Sequence, residues 1–180
     1  MATNKKDNPY YNPKVQKILN KLIADEKMTS EFYKDFVLRV GPEYRPYVKE
    51  AFLDIAKDEF EDHYLGMIQF CEDFGYDVPV GYSELSKYAG DISVKLFNKS
   101  KDGQDPKYYV ELAIEAETES IKDYEKALAD LEKEKLEYGN LRGVLLSNYY
   151  DELEHLSTLQ FLMQNLNMEF GDEVLDVTIQ

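Results

Sequence analysis

Four long stretches of the chain repeat apolar residues at intervals of three and four, and Gly and Pro punctuate the gaps between them. The first runs Val15, Leu19, Leu22, Tyr33, Val37. Asn12-Pro13 opens it as an N-cap and first-turn pair, and Gly41-Pro42 stops it. The second runs Phe52, Ala56, Met67, Phe70 and ends at Gly75. Asp105-Pro106 opens the third: Val110, Ile114, Ile121, Tyr124, Leu128. After the break at Gly139-Asn140 comes the fourth: Leu145, Tyr149, Leu156, Leu159, Leu162 or Met163, Leu166. The pattern predicts an all-α chain with helices near 13–40, 46–74, 106–137 and 141–166, each burying one face.

The connections constrain the arrangement further. Short turns join helices 1 and 2, and helices 3 and 4, so each pair is expected to lie antiparallel. About 30 residues separate the two pairs, and Ser83–Ala89 within them reads as a short helix of its own.

Composition narrows the class. The chain carries 36 Asp and Glu against 21 Lys and Arg, a net charge of −15, which argues against DNA as a partner because phosphates repel an acidic surface. No apolar run approaches the roughly 18 residues of a membrane helix. Cys71 is the lone cysteine, so no intrachain disulfide forms, and the polar segment Met1–Tyr10 has no apolar stretch of a secretory signal. These features predict a soluble, cytoplasmic single domain over 1–180, with a bundle at about 13–166 and short tails at 1–12 and 167–180.

Each stripe is interrupted once by a carboxylate on its buried face. Glu26 stands between Leu22 and Tyr33, Glu59 follows Ala56, Glu117 lies between Ile114 and Ile121, and Glu152 follows Tyr149. An unpaired ion in a core costs several kcal/mol, so one such Glu reads as a register error or a snorkelling side chain. Four, one per helix, need a common cause. The chain's two histidines, His63 and His155, each follow a seam Glu within one turn, on helices 2 and 4. Four Glu and two His turned inward are the ligand set of a carboxylate-bridged dimetal site, whose two divalent cations four carboxylates would balance. Iron or manganese suits these donors, and zinc is compatible.

The halves mirror each other: Glu117 follows Glu26 by 91 positions and Glu152 follows Glu59 by 93, while Tyr33 and Tyr124 each follow their Glu by seven. Core packing with the hydroxyl bonded to a carboxylate is the first reading of the two Tyr, and a redox role the second. Helix 4 carries Glu152-x-x-His155. In helix 2 Glu59 and His63 are four apart and Asp62 takes the three-apart place. Either Asp62 is the ligand, or His63 reaches inward through a local bulge of the helix, and the seam favours His63.

The four stripes, the long crossover and the set Glu26, Glu59…His63, Glu117 and Glu152-x-x-His155 resemble the ferritin-like superfamily over roughly residues 15–166. The form they resemble most is the Dps-like miniferritin subclass with a bacterioferritin-type diiron centre. Asp105-Pro-Lys107 leading to Ile114-Glu-Ala-Glu117 is similar to the start of helix 3 in that group, as is the offset from His63 to Gly75. The resemblance implies a ferroxidase that oxidises Fe(II) with hydrogen peroxide or dioxygen at two iron sites within one subunit. It also implies iron storage and protection from oxidative stress in a homo-oligomeric shell of 12 subunits. Phe60 occupies the place of the haem-ligating Met of bacterioferritins, so no haem is expected. The basic residues Lys5, Lys6 and Lys14 form only a short tail on an acidic body. The stretch from Asn167 to Gln180 is short for the fifth helix of 24-subunit ferritins. The competing reading is a diiron or dimanganese peroxidase, catalase or oxidase that stores nothing. Among these, a rubrerythrin carrying its own electron-transfer module would need Cys-x-x-Cys pairs, which this sequence lacks.

Overall fold

A computed structural model describes residues 11–39, 46–99, 106–133 and 140–170. Its helices are α1 (Pro13–Arg39), α2 (Pro46–Asp58), a π-helical segment (Glu59–Tyr64), α3 (Leu65–Phe74), α4 (Tyr82–Tyr88), α5 (Asp91–Lys99), α6 (Pro106–Lys133) and α7 (Leu141–Phe170). The helix α2, the π segment and α3 follow without interruption, so the four bundle helices stand where the stripes placed them, in an all-α ferritin-like bundle.

Several boundaries follow from local chemistry. The Asn12 side chain accepts the Lys14 backbone N–H at 2.8 Å, and Pro13 fills the first helical position, where no N–H is needed. The second bundle helix ends at Gly75, whose φ of 71° is left-handed, and the Tyr76 N–H closes onto the Cys71 carbonyl at 2.9 Å. The stops at Gly41-Pro42, Asp105 and Gly139, and positions 134–137 of the third helix, lie outside the described residues.

Two expectations about where elements begin and end are corrected. The fourth helix runs on to Phe170, so the C-terminal tail does not start at 167. The crossover carries two short helices, not one: α5 follows α4 directly. Asp25 of α1 anchors the second. Its carboxylate accepts the Gly90 N–H at 2.7 Å, the Ser93 hydroxyl at 2.7 Å and the Lys21 ammonium at 2.7 Å, so a buried anion from another helix caps the start of α5.

The core lies in two apolar blocks. In one, Phe32, Tyr33 and Phe36 of α1 meet Phe52 and Ile55 of α2, with Val110 and Ala113 of α6 and Leu159 and Leu162 of α7. In the other, Val15, Leu19 and Leu22 meet Met67 and Phe70, with Tyr124, Ala127 and Leu131, and Leu141 and Leu145. The C-terminal half of α1 thus faces α2, the first part of the second bundle helix, and α6 and α7 pair in the same reversed sense, so both hairpins are antiparallel. The third stripe is shifted from its expected line. Ile114, Ile121 and Leu128 are only half-buried, and the seam is Val110, Ala113, Ala116, Glu117, Tyr124, Ala127 and Leu131. Small Ala residues let α6 and α7 approach closely, which pushes the larger Ile and Leu to the edge.

Candidate metal centre

Between the two apolar blocks the bundle is polar. Glu26, Glu59, His63, Glu117, Glu152 and His155 are all buried, none more than 5% exposed. The structure brings all six together in two overlapping groups. Glu26, Glu59, His63 and Glu152 each place a donor atom within 4.8 Å of the others, and so do Glu59, Glu117, Glu152 and His155. Glu59 and Glu152 belong to both groups. Glu26 with His63 closes one end, and Glu117 with His155 the other.

The π segment decides the helix-2 ambiguity in the geometry. The Leu65 N–H bonds to the Phe60 carbonyl, five residues back. That wider turn absorbs one extra residue, so the four-residue step from Glu59 turns His63 inward, as the three-residue step on α7 turns His155. His63 is fully buried, and Asp62 is exposed and is not among the clustered donors.

The imidazoles use their two nitrogens differently. His63 Nδ1 stands 3.4 Å from Glu26, 3.3 Å from Glu59 and 3.4 Å from Glu152. Its Nε2 faces Asp151 Oδ2 at 3.4 Å. His155 Nδ1 lies 3.7 Å from Glu59 and 3.6 Å from Glu117, and its Nε2 faces Asp58 Oδ2 at 3.5 Å. Each His therefore meets an Asp from the opposite helix, and each Asp immediately precedes a cluster Glu. Sequence reasoning missed Asp58 and Asp151. The signal was the repeated Asp-Glu pair at Asp58-Glu59 and Asp151-Glu152.

The two tyrosines close the cluster. Tyr33 donates its hydroxyl to Glu117, and Tyr124 donates to Glu26 at 2.6 Å while accepting the Asn148 amide at 3.0 Å. Both pairs cross between the hairpins, so each Tyr orients the Glu of the opposite half.

The donor atoms fit metal ions. The six side chains carry eight carboxylate oxygens and four imidazole nitrogens. Two oxygens accept the tyrosine hydroxyls, and the other ten atoms are buried without a hydrogen bond. Native cores rarely leave so many polar atoms unpaired, and cations among them would satisfy the set. Protonation without metal carries the same message. Burial, then the neighbouring carboxylates, pushes the Glu26 and Glu152 carboxyls well above their usual range. Burial disfavours charge on the imidazoles, yet the carboxylates around them prevail: His63 is raised well above its ordinary value and His155 to about 11. Burial also opposes charge on Glu59, but the polar influence of Glu26 and of the His155 and His63 imidazoles beside it outweighs burial and holds that carboxyl low.

The cluster reaches solvent between α2 and α7. A cavity of about 330 Å³ there has His155 in its wall and Asp54, Asp58, Asp151 and Glu154 around it. A cation is drawn to such an opening, and an anion is repelled.

A helical bundle with buried Glu and His from four helices, able to hold metal at its centre, defines a ferritin-like protein of the diiron-carboxylate class. A family model described as rubrerythrin matches residues 17–163, which include all six cluster residues, and the chain belongs to that family. No curated protein and no solved structure matches it.

Proposed function

We propose that the chain is a ferroxidase, in which Fe(II) is the substrate and hydrogen peroxide or dioxygen the oxidant. The observation that carries this reading is the acidic opening at Asp54, Asp58, Asp151 and Glu154, which leads to ten unpaired donor atoms. A small cation suits such a path better than an organic substrate. Two Fe(II) ions would be held by Glu26 with His63 and by Glu117 with His155, with Glu59 and Glu152 shared between them. Two ferrous ions give up two electrons to hydrogen peroxide, which takes two protons and leaves as two waters. Glu26, Glu152 and the imidazoles yield protons when cations bind. Tyr33 and Tyr124 hold the outer carboxylates, and Asp58 and Asp151 stand beside the outer nitrogens of the imidazoles, so that Nδ1 is the nitrogen turned to the carboxylates and free to bind. A shell of 12 subunits in the cytoplasm, with Fe(III) stored inside and oxidative stress relieved, extends this reading.

Membership of the rubrerythrin family favours a second reading, in which iron or manganese stays bound and the protein reduces peroxide with electrons from another donor. Stopped-flow ultraviolet absorbance after anaerobic Fe(II) loading separates the two. A ferroxidase oxidises many Fe(II) per chain, and a resident centre oxidises only its own pair. Glu59→Ala and Glu152→Ala should abolish most of the rate. Oxidation at the parental rate in those variants would overturn the site.

A further inference from the structure

A second cavity, of about 440 Å³, opens between the N-terminal half of α1, the end of α4 and α6. Its walls carry five lysines: Lys14, Lys17 and Lys21 from α1, Lys87 from α4 and Lys126 from α6. On a chain with a net charge of −15, that convergence is unexpected, because acidic partners abound elsewhere on the surface. Lys21 is committed, paired with Asp25 at 2.7 Å and Asp123 at 2.5 Å. Lys17, Lys87 and Lys126 are exposed and form no ion pair among the described residues. Asp130 also lines the wall, so cations outnumber anions. The floor is apolar, built from Ile18, Leu22 and Ala127, and the half-exposed Tyr88 offers a ring at the rim.

We propose that this cavity binds a small phosphate-bearing ligand with a flat ring, of nucleotide or flavin-mononucleotide size. Lysine ammonium groups meet phosphate as mobile point charges, and the Tyr88 ring and apolar floor take a planar group. The volume lies within the usual range for small-molecule sites. The inference is independent of iron chemistry. The site is nonetheless close to the carboxylate cluster: Leu22 is one turn before Glu26, and Leu22 and Ala127 share a core block with Tyr124.

Calorimetric titration of the purified full chain at low ionic strength tests it, with FMN and ADP as probes and riboflavin and adenosine as phosphate-free controls. Saturable binding of at least one probe is expected, weakened about tenfold in K17E/K126E and by added salt, with each control binding far more weakly. Both substitutions are at exposed positions, and circular dichroism checks that the variant folds. Binding of neither probe would overturn the proposal, as would equal affinity for the controls or unchanged affinity in the variant. A change of native mass in the variant without a change in probe affinity would also overturn it, and would make the cavity a contact between copies. None of these readouts involves iron oxidation, so the failure of one proposal is distinguishable from the failure of the other.

Discussion

Each cluster imidazole turns Nδ1 to the carboxylates and Nε2 to an Asp on the opposite helix. An Asp that holds the outer N–H fixes both ring angle and tautomer, so Asp58→Ala and Asp151→Ala should weaken metal binding about 10- to 100-fold while leaving all six donors in place. Metal titration against a competing chelator measures it, and unchanged affinity would reduce these two residues to surface acids. Charge makes a second prediction. Glu26, Glu152, His63 and His155 have raised values in the folded, metal-free chain. The folded state therefore binds more protons than the unfolded one. The contribution of His155 is complete below its ordinary value of 6.5 and is lost as pH rises through about 11. Glu59 has the opposite sign: its contribution is lost as pH falls below the ordinary carboxylate range. Urea midpoints of the metal-free protein should fall from neutral to alkaline pH. Bound metal should reverse that slope, because binding expels the same protons. Proton release on metal addition, read with an indicator in weak buffer, is the direct check. The repeated Asp-Glu pair marked Asp58 and Asp151 in the sequence, but which imidazole each faces was not legible there, since each stands against the imidazole of the other hairpin.

At the scale of elements, the π segment makes two unequal spacings equivalent. Deleting Asp62 would leave Glu59-Phe-Glu-His, the three-residue spacing of α7, and remove the extra residue that the wide turn absorbs. The deletion variant should keep its metal stoichiometry and lose the π turn, whereas deletion of Leu153 from α7 should rotate His155 out of the cluster and lose metal. Metal content after dialysis distinguishes them, and loss in both would refute the equivalence. The crossover offers a separate test. Asp25→Ala removes an acceptor shared by Gly90, Ser93 and Lys21 and should cost about 1–3 kcal/mol, seen as a lower urea midpoint. Sequence periodicity revealed the four long helices because each has a full buried face. It missed α5 because the anion that caps its start comes from α1, 65 positions before Gly90, and so leaves no local signal.

At the scale of the whole molecule, the two apolar blocks hold the polar belt from both sides, and cations in that belt would bind only the folded chain. Metal should therefore raise the unfolding temperature in a concentration-dependent way, and a chelator should lower it. A thermal scan insensitive to metal would mean that the belt is not a binding site. Light scattering after size exclusion gives the native mass. Twelve chains would support a storage shell, and a monomer or dimer would move the same cluster to the peroxidase reading. Among the described residues no helix is long and apolar enough to cross a membrane.

The sequence by itself determined the bundle and the six inward donors, because helical periodicity is local and a charged residue on an apolar face stands out against it. Tertiary structure alone decided which carboxylates are shared, which Tyr meets which Glu, and that His63 rather than Asp62 turns inward. It also placed Ala rather than Ile on the α6 seam and gathered five lysines around one cavity. Those outcomes depend on the distance between helices and on the pitch of a single turn, and neither is written in the spacing along one chain.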